Sequence, residues 1–142
     1  MDLSRYVGIP YQLHGRDYSN ADCYGLVYLY YSELGYALPK LDKPYILKEA
    51  ESLVHKYTPL ITGKQLTVPE SPCVVVMYKH GIPTHVGVYV DKGIIHTSSN
   101  RGSVYEKLKN VNRRFTRLEF YSVSKSYYTG ESVQNRAYRE DI

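Results

Sequence analysis

The chain has 142 residues, enough for one ordinary domain with a single hydrophobic core. No stretch rich in Pro, Gly or Ser separates two parts, and no apolar run is long enough for a signal peptide or a membrane span. We therefore expect one soluble domain without an export signal of its own. With only two cysteines, Cys23 and Cys73, a disulfide framework is excluded as the main support of the fold.

The formal net charge of +4 comes from the C-terminal part of the chain. Residues 1–100 contain nine Lys or Arg and nine Asp or Glu, whereas residues 101–142 contain nine and five. Such an excess of positive charge is typical of a protein that associates with an anionic polymer, and a solvated surface explains it equally well. No base-stacking or groove-reading motif accompanies the charge, so we expect no nucleic-acid partner.

The first periodic segment spans residues 22–34, where apolar residues recur three and four positions apart, as on one face of a helix. Ser19 or Asn20 is expected to cap the start of this helix, and Gly35 to end it. Cys23 then lies in the first turn. A weaker amphipathic pattern predicts a second short helix over residues 46–56.

From Cys73 onward the pattern is that of β-structure. Runs of β-branched and aromatic residues predict strands over residues 73–78, 85–90, 94–97 and 117–123, with Asp91-Lys92 as a two-residue loop. Helices followed by strands favour an α+β fold, with the helices packed on an antiparallel sheet. Because the chain turns polar after Tyr128, we predict a domain over residues 1–128 and a weakly ordered tail over residues 129–142.

Cys23 is a candidate nucleophile, because the dipole and the free amide groups of a helix N-terminus favour a thiolate. The same amide groups are suited to hold an oxyanion that forms on a substrate carbonyl. By position alone, however, packing in the core explains a small cysteine on the inner face of a helix better than catalysis does. A histidine placed to act as base would reverse that balance.

His85 and His96 are candidates for that base and for a residue that orients it. If Asp91-Lys92 forms the hairpin loop, His96 lies opposite Gly87 and diagonal to His85, on the same face of the sheet. A shift of one residue would separate the two rings. Zinc ligation by Cys23 and the two histidines is the other interpretation, but close-spaced ligands such as Cys-x-x-Cys are lacking. We expect no metal and no cofactor.

Short runs of residues around the predicted helix and along the predicted strands match a known pattern. They are Ile9-Pro10-Tyr11, His14-Gly15-Arg16-Asp17, Asp22-Cys23-Tyr24-Gly25-Leu26-Val27, Leu38-Pro39, Val74-Val75-Val76-Met77, Pro83-Thr84-His85-Val86-Gly87-Val88-Tyr89-Val90 and Ile94-Ile95-His96. In this order the combination resembles NlpC-type cell-wall cysteine peptidases, over roughly residues 5–105.

The resemblance implies a permuted papain-like fold, in which a thiolate at a helix start faces an imidazole on the sheet. It also implies a peptidase that hydrolyses amide bonds of peptidoglycan stem peptides or cross-links, of the γ-D-glutamyl-diaminopimelate type. Cys23 matches the nucleophile, His85 the base and His96 the orienting residue of that family.

Three further residues are expected to contact the substrate or the oxyanion: Tyr11, Asp22 and Tyr24. Tyr11 matches a tyrosine near the oxyanion, and packing beneath the helix is its structural alternative. Asp22 matches an acid that meets a substrate amine, and stabilisation of the helix N-terminus explains it equally well. Tyr24 stands where secreted relatives have Ser, which leaves the subsite preference open, and Cys73 stands where many relatives have Asp.

The Gly15-Arg16-Asp17 segment is more similar to phage tail-assembly members of the family than to secreted ones. The expected location is therefore a virion tail, or the bacterial cytoplasm before release. The expected partners are peptidoglycan peptides and phage tail proteins. Two alternative functions stay open at this point: a structural tail component or assembly factor that has the peptidase fold, and a wall amidase.

Overall fold

The computed structural model describes residues 2–42 and 53–131, except for the side chains of Leu53 and His55. A small hairpin of β1 (Arg16–Asp17) and β2 (Asn20–Ala21) precedes helix α1 (Cys23–Glu33) and helix α2 (Leu53–Ile61). The rest of the described chain is mainly β-structure. Its elements are β3 (Thr62–Leu66), β4 (Cys73–Lys79), β5 (Ile82–Val90), β6 (Gly93–Ser98), β7 (Gly102–Lys107), α3 (Leu108–Asn112) and β8 (Arg117–Val123).

The six larger strands form one antiparallel sheet in the order β3-β8-β4-β5-β6-β7. Together with the helices this sheet makes the fold α+β, as predicted. No helix among the described residues is long and apolar enough to cross a membrane.

Helix α1 was predicted at the right place, but its cap was not. Asp22 is the cap, and its Oδ1 accepts a hydrogen bond from the Gly25 N–H at 2.8 Å. Ser19 and Asn20 were wrong candidates, because Asn20 is held extended in β2 by its pairing with β1. Gly35, with φ of 98°, ends the helix as expected.

Helix α2 extends further along the chain than the predicted second helix. Residues 46–52 of that prediction lie outside the described residues. The helix continues past residue 56 to Ile61, with Pro59 inside it. Val54, Tyr57 and Ile61 recur three and four positions apart and are all buried, so packing of this face stabilises the longer helix.

All four predicted strands are present, and β8 has the predicted bounds. The strands β3 and β7 were missed. They are the two edges of the sheet, and many of their side chains are exposed, so their sequences lack the long β-branched runs of the central strands. Thr129 still donates hydrogen bonds to the Gly35 carbonyl, and residues 132–142 lie outside the described residues, so the weakly ordered tail stays a prediction.

The hairpin between β5 and β6 has the predicted register. Val90 pairs with Gly93 across the loop of Asp91 and Lys92, both of which have positive φ, 50° and 67°. Gly87 lies beside His96, since a Cβ on Gly87 would come within 3.2 Å of the His96 Cβ and 2.6 Å of a backbone oxygen. A glycine at this position therefore leaves room for the two strands to approach.

Two hydrophobic clusters cover the two faces of the sheet. The larger one contains α1, α2 and the alternate residues Val74, Val76, Val86 and Val88. The smaller one lies on the opposite face under α3; its buried members are Cys73, Val75, Met77, Tyr89, Ile94 and Val111. Consecutive residues of β4 and β5 thus point to different clusters, as the strand period requires.

Replacing Gly25 with Ala should lower the free energy of unfolding by about 1–3 kcal/mol. A Cβ there would overlap the Gly15 carbonyl oxygen and lie 3.0 Å from the Ala21 Cβ, so backbone would have to move. Gly63→Ala is the control, because its nearest atom is the movable Ser122 hydroxyl at 2.9 Å. Urea unfolding measures both variants, and equal effects would contradict the close approach at Gly25.

Candidate active site

Cys23 lines a narrow cavity of about 40 Å³ at the start of α1. The three other residues predicted to contact substrate or oxyanion, Tyr11, Asp22 and Tyr24, line the same cavity. Helix α2 and Val86 of β5 complete the wall. The structure thus brings together the nucleophile candidate and all of its predicted neighbours from the N-terminal part of the chain.

The surroundings of Cys23 favour the protonated thiol. Its burial raises the pKa to about 12, and the adjacent Asp22 carboxylate acts in the same direction. The backbone amides of Val86 and Tyr24 and the Arg16 guanidinium act in the opposite direction, and they do not outweigh desolvation. The helix N-terminus alone therefore does not produce the thiolate that its position suggested.

Asp22 has structural partners for both of its carboxylate oxygens. Oδ1 accepts hydrogen bonds from the Arg16 Nη1 at 2.6 Å and from the Gly25 N–H at 2.8 Å, and Oδ2 accepts one from the His14 N–H at 2.8 Å. The residue is only 4% exposed. Of the two interpretations left open for Asp22, these contacts support stabilisation of the helix N-terminus.

Tyr11 and Tyr24 differ in what they offer to a ligand. Tyr11 is 38% exposed, and burial of its ring together with the nearby Cys23 and Asp22 raises the pKa of its hydroxyl. Tyr24 is buried; its hydroxyl donates to the Pro39 carbonyl at 2.7 Å. Tyr11 is therefore the one of the two with an accessible side chain, while Tyr24 contributes its ring to the cavity wall.

His85 and His96 form a hydrogen-bonded chain with an acid that the sequence did not reveal. Nε2 of His85 lies 3.0 Å from Nδ1 of His96, and Nε2 of His96 lies 2.8 Å from Oε1 of Glu106. His96 is hydrogen-bonded to His85 through Nδ1 and to Glu106 through Nε2, so its ring lies between the other two side chains. Among the described residues no group of three or more His, Cys, Asp or Glu is arranged to hold a metal ion.

The hydrogen bonds of this chain determine which nitrogen of each ring carries a proton. Hydrogen bonds from Arg114, followed by those from Arg101 and His96, lower the pKa of Glu106 to about 2, so it is an ionised acceptor. His96 must then donate from Nε2 and, being neutral, accept at Nδ1. His85 therefore donates from Nε2, which leaves its Nδ1 unprotonated and able to act as a base.

Both histidines are neutral near pH 7. Burial lowers the pKa of His85 to about 3, and the neighbouring His96, Arg114 and Lys79 add to that effect. Burial also lowers the pKa of His96, against the opposing influence of Glu106. The His85 ring is stacked on Phe115 with 6.2 Å between ring centroids, which holds it against the smaller cluster.

Two adjacent residues of β5 border the cavity of the thiol and the cavity of the histidine chain. Val86 lines the Cys23 cavity, whereas the preceding residue, His85, lines a cavity of about 330 Å³ with His96. No hydrogen bond joins Cys23 and His85 in the described structure. The Cys23 thiol and the two histidine rings therefore lie in different cavities, which are connected through the adjacent residues His85 and Val86.

Comparison with known protein families identifies the chain. The family model described as the NlpC/P60 family matches residues 8–136. The chain belongs to the NlpC/P60 family. NlpC/P60 members are typically cysteine peptidases, and the family as a whole indicates cell-wall peptidase activity. None of the curated proteins is similar enough to count as a match.

Two residues of this NlpC/P60 site were missed from the sequence. Glu106 is in edge strand β7, and its alternation with exposed neighbours gave no sign of a partner. Arg16 belongs to a motif that was recognised, but nothing local indicates that it binds Asp22 and stacks on the Tyr24 ring at 5.0 Å. His96 pairs with Val104 of β7, so Glu106 is its diagonal neighbour, and a strand predicted over residues 102–107 would have suggested this acid.

Lowering the pH from about 6.5 to 4.5 should decrease the free energy of unfolding. The unfolded chain protonates His85 near 6.5, whereas the folded protein keeps it neutral to about 3, so the unfolded state binds more protons in this window. His85→Asn should flatten the dependence, and His80→Asn, in an exposed turn, should not. Equal slopes for both variants in chemical denaturation would rule out the buried neutral imidazole.

Alkylation of Cys23 by iodoacetamide at pH 7.5 should be at least about 100-fold slower than that of a free cysteine, because only the thiolate reacts. The rate should increase with pH well beyond 9, in line with a pKa of about 12. Peptide mapping by mass spectrometry distinguishes Cys23 from Cys73, which is fully buried. Rapid alkylation at pH 6 would instead indicate a thiolate paired with a charged His85.

Proposed function

We propose that the protein is a cysteine peptidase with a permuted papain-like arrangement, which hydrolyses γ-D-glutamyl-diaminopimelate amide bonds of peptidoglycan. The observation that carries this proposal is the hydrogen-bonded chain of His85, His96 and Glu106, which leaves Nδ1 of His85 unprotonated on the residue that precedes Val86, a wall residue of the Cys23 cavity. Membership of the NlpC/P60 family supports the cell wall as the substrate.

The reaction begins from neutral partners. Nδ1 of His85 takes the thiol proton of Cys23 as the sulfur attacks the amide carbonyl carbon. The oxyanion that forms is stabilised by first-turn N–H groups of α1, which have no partner within the helix. The imidazolium then gives its proton to the leaving amine as the C–N bond breaks, and a thioester remains on Cys23.

Water completes the cycle. His85 removes a proton from a water molecule that attacks the thioester carbonyl, and the carboxylate product leaves as the thiol is restored. Glu106 stays ionised throughout and, through its hydrogen bond to His96, stabilises the positive charge that His85 carries. This role assigns His96 and Glu106 to orientation of the base rather than to proton transfer.

Proton transfer requires Cys23 and His85 to approach each other. Their side chains are not hydrogen-bonded in the structure, and catalytic hydrogen bonds of ligand-free enzymes often tighten only when substrate is bound. To approach Cys23, the His85 ring would have to leave its stacking on Phe115. The proposal therefore includes a reorientation of His85 when substrate binds.

The charge around His85 supports a leaving group that carries carboxylates. Lys79, Arg101 and Arg114 line the cavity of His85 and His96. Glu106 pairs with Arg101 at 3.0 Å and Arg114 at 2.8 Å but neutralises only one positive charge. Since His85 protonates the leaving amine, that amine lies on this side, and diaminopimelate, with its carboxylates, complements the remaining charge.

We also propose a place in a phage tail, where the enzyme would open the wall during entry. This part rests on the similarity of Gly15-Arg16-Asp17 to tail-assembly members of the family. The structural alternative, a tail component whose peptidase fold has no catalytic use, predicts particles that do not depend on Cys23.

Cys23→Ala should abolish the release of new amino groups from purified peptidoglycan, because Cys23 is the only thiol in the cavity. Mass spectrometry of the released muropeptides should show cleavage after γ-D-glutamate for the wild type only. Cys73→Ala is the matched control, since Cys73 pairs with Tyr89, four residues from His85 along β5, and lines neither the Cys23 cavity nor the cavity of the histidines. Undiminished release by Cys23→Ala would end the proposal, and cleavage at the sugar-linked amide would indicate an amidase.

The same variant tests the tail location in phage particles that contain the protein. A wall-opening enzyme predicts particles of normal composition that enter cells poorly. Normal entry with Cys23→Ala would favour the structural component, and absence of the protein from purified particles would contradict a tail location altogether.

A further inference from the structure

Helix α3 and the residues after it cover the face of the sheet that the smaller cluster occupies, and they carry exposed cations on their outer side. Leu108, Val111 and Phe115 pack into the smaller cluster. Lys109 and Arg113 are four positions apart, which puts them on the same side of a helical turn, and both are exposed. The inner side of this segment is therefore apolar, and its outer side is positively charged.

The positive charge continues from α3 to the rim of the histidine cavity. Arg114 lines that cavity together with Lys79 and Arg101, and all three are exposed. Lys79 Nζ lies 5.3 Å from the centre of the Phe115 ring, so it borders the α3 segment as well. We call this set of exposed cations the α3 surface; its members are Lys79, Arg101, Lys109, Arg113 and Arg114.

The α3 surface has more cations than its carboxylate can neutralise. Glu106 pairs with Arg101 at 3.0 Å and with Arg114 at 2.8 Å. Within the part of the chain that the structure describes, the other three members form no ion pair with an acid. Five cations therefore share one carboxylate on this side of the molecule.

The described arginines outside the α3 surface are balanced one to one. Their ion pairs are Arg5 with Glu33, Arg16 with Asp22 and Arg117 with Glu119. The positive charge at α3 is therefore not a general property of the protein surface. It is a local excess, and it forms a continuous area that an extended anion can contact at several points.

The aromatic ring next to the α3 surface already has partners. Phe115 is stacked on His85 with 6° between the ring planes, and Lys79 Nζ lies near the same ring. Proteins that bind single-stranded nucleic acid stack successive bases on open aromatic rings. Helix α3 has five residues, so it is only about 7.5 Å long and is poorly suited to follow a duplex groove. An anionic chain without bases matches this surface best.

We propose that the α3 surface binds a polyol phosphate polymer of the cell wall, a phosphodiester chain that has no bases. The phosphates contact Lys109 and Arg113 on the outer side of α3 and continue toward the rim of the histidine cavity. Binding would hold the enzyme on the wall beside the peptides that it cleaves. The choice of a wall polymer rests on the proposed peptidase function, whereas binding itself needs neither Cys23 nor His85.

Fluorescence anisotropy with labelled poly(glycerol phosphate) and the full chain tests the α3 surface. The logarithm of the binding constant should fall linearly with the logarithm of the NaCl concentration, because each neutralised phosphate releases counterions. The double variant Lys109→Gln/Arg113→Gln should raise the Kd about 10-fold at about 50 mM NaCl and make the salt dependence shallower by about 1–2 in slope. Failure to bind the polymer even at low salt would overturn the proposal.

The double variant Lys40→Gln/Lys125→Gln is the matched control. It also removes two exposed cations, but from segments that pack on the larger cluster, at the other face of the sheet. Its Kd should stay within about 2-fold of the wild-type value, since distant exposed charges are screened by salt. Equal effects of the two double variants would mean that net charge alone drives binding, which would overturn the α3 surface. Circular dichroism confirms that both variants are folded.

An oligothymidylate with the same number of phosphates distinguishes the two kinds of phosphodiester chain. If the α3 surface contacts phosphates alone, the two polymers should bind within about 3-fold of each other. Binding of the oligothymidylate more than about 10-fold more tightly would indicate base stacking. That result would overturn the polyol phosphate and assign the surface to nucleic acid.

Cleavage assays separate the α3 surface from the proposed function. Lys109→Gln/Arg113→Gln should cleave a soluble stem peptide as fast as the wild type, and polymer-bearing wall about 3- to 10-fold more slowly, because it is no longer concentrated there. Equal cleavage of polymer-bearing wall by both proteins would overturn the role of the surface and leave the peptidase. Polymer binding that depends on Lys109 and Arg113, with no cleavage of peptide or wall by the wild type, would support the surface and overturn the peptidase.

Discussion

A buried ion pair between Arg16 and Asp22 holds together the segment that carries Cys23. The two side chains are 4% and 6% exposed, and their charged atoms are 2.6 Å apart. The same carboxylate caps α1 and binds the His14 amide, while Arg16 also donates to the carbonyls of Lys40 and Leu41. Removing either charge would leave the other buried and unpaired, at a cost of about 3–5 kcal/mol.

This ion pair has a consequence for chemistry as well as for stability. The carboxylate that orders the helix start is also a negative charge beside the thiol, and together with burial it disfavours the thiolate. Burial acts on His85 in the same way, by favouring the neutral imidazole. The burial of the proposed nucleophile and of the proposed base therefore favours the uncharged form of both. A neutral thiol is also less readily oxidised than a thiolate, so the uncharged state protects Cys23 from oxidation when no substrate is bound.

The orientation of the proposed base depends on residues at the edge of the sheet and in the loop after α3. Glu106 is anchored by Arg101 and Arg114 and in turn fixes the tautomers of both histidines. The positive charge that Glu106 does not neutralise lies around the proposed base.

The elements best predicted from the sequence are those with strong local signals. Periodicity located α1 and the central strands, and Asp91-Lys92 set the register that brings His85 and His96 together. The N-cap, the extent of α2 and the edge strands were missed or misplaced, because their stability comes from contacts distant in sequence. The β1–β2 pairing, for example, keeps Asn20 extended and moves the cap to Asp22.

The sequence by itself determined the fold class, the family pattern and the identity of the candidate nucleophile and base, since spacing and residue type carry that information. Only the tertiary structure decided their charge states and partners. The pKa values of Cys23 and His85 depend on desolvation, and the positions of Arg16 and Glu106 depend on which surfaces pack against each other. Both are properties of the packed chain, to which segments far apart in sequence contribute together.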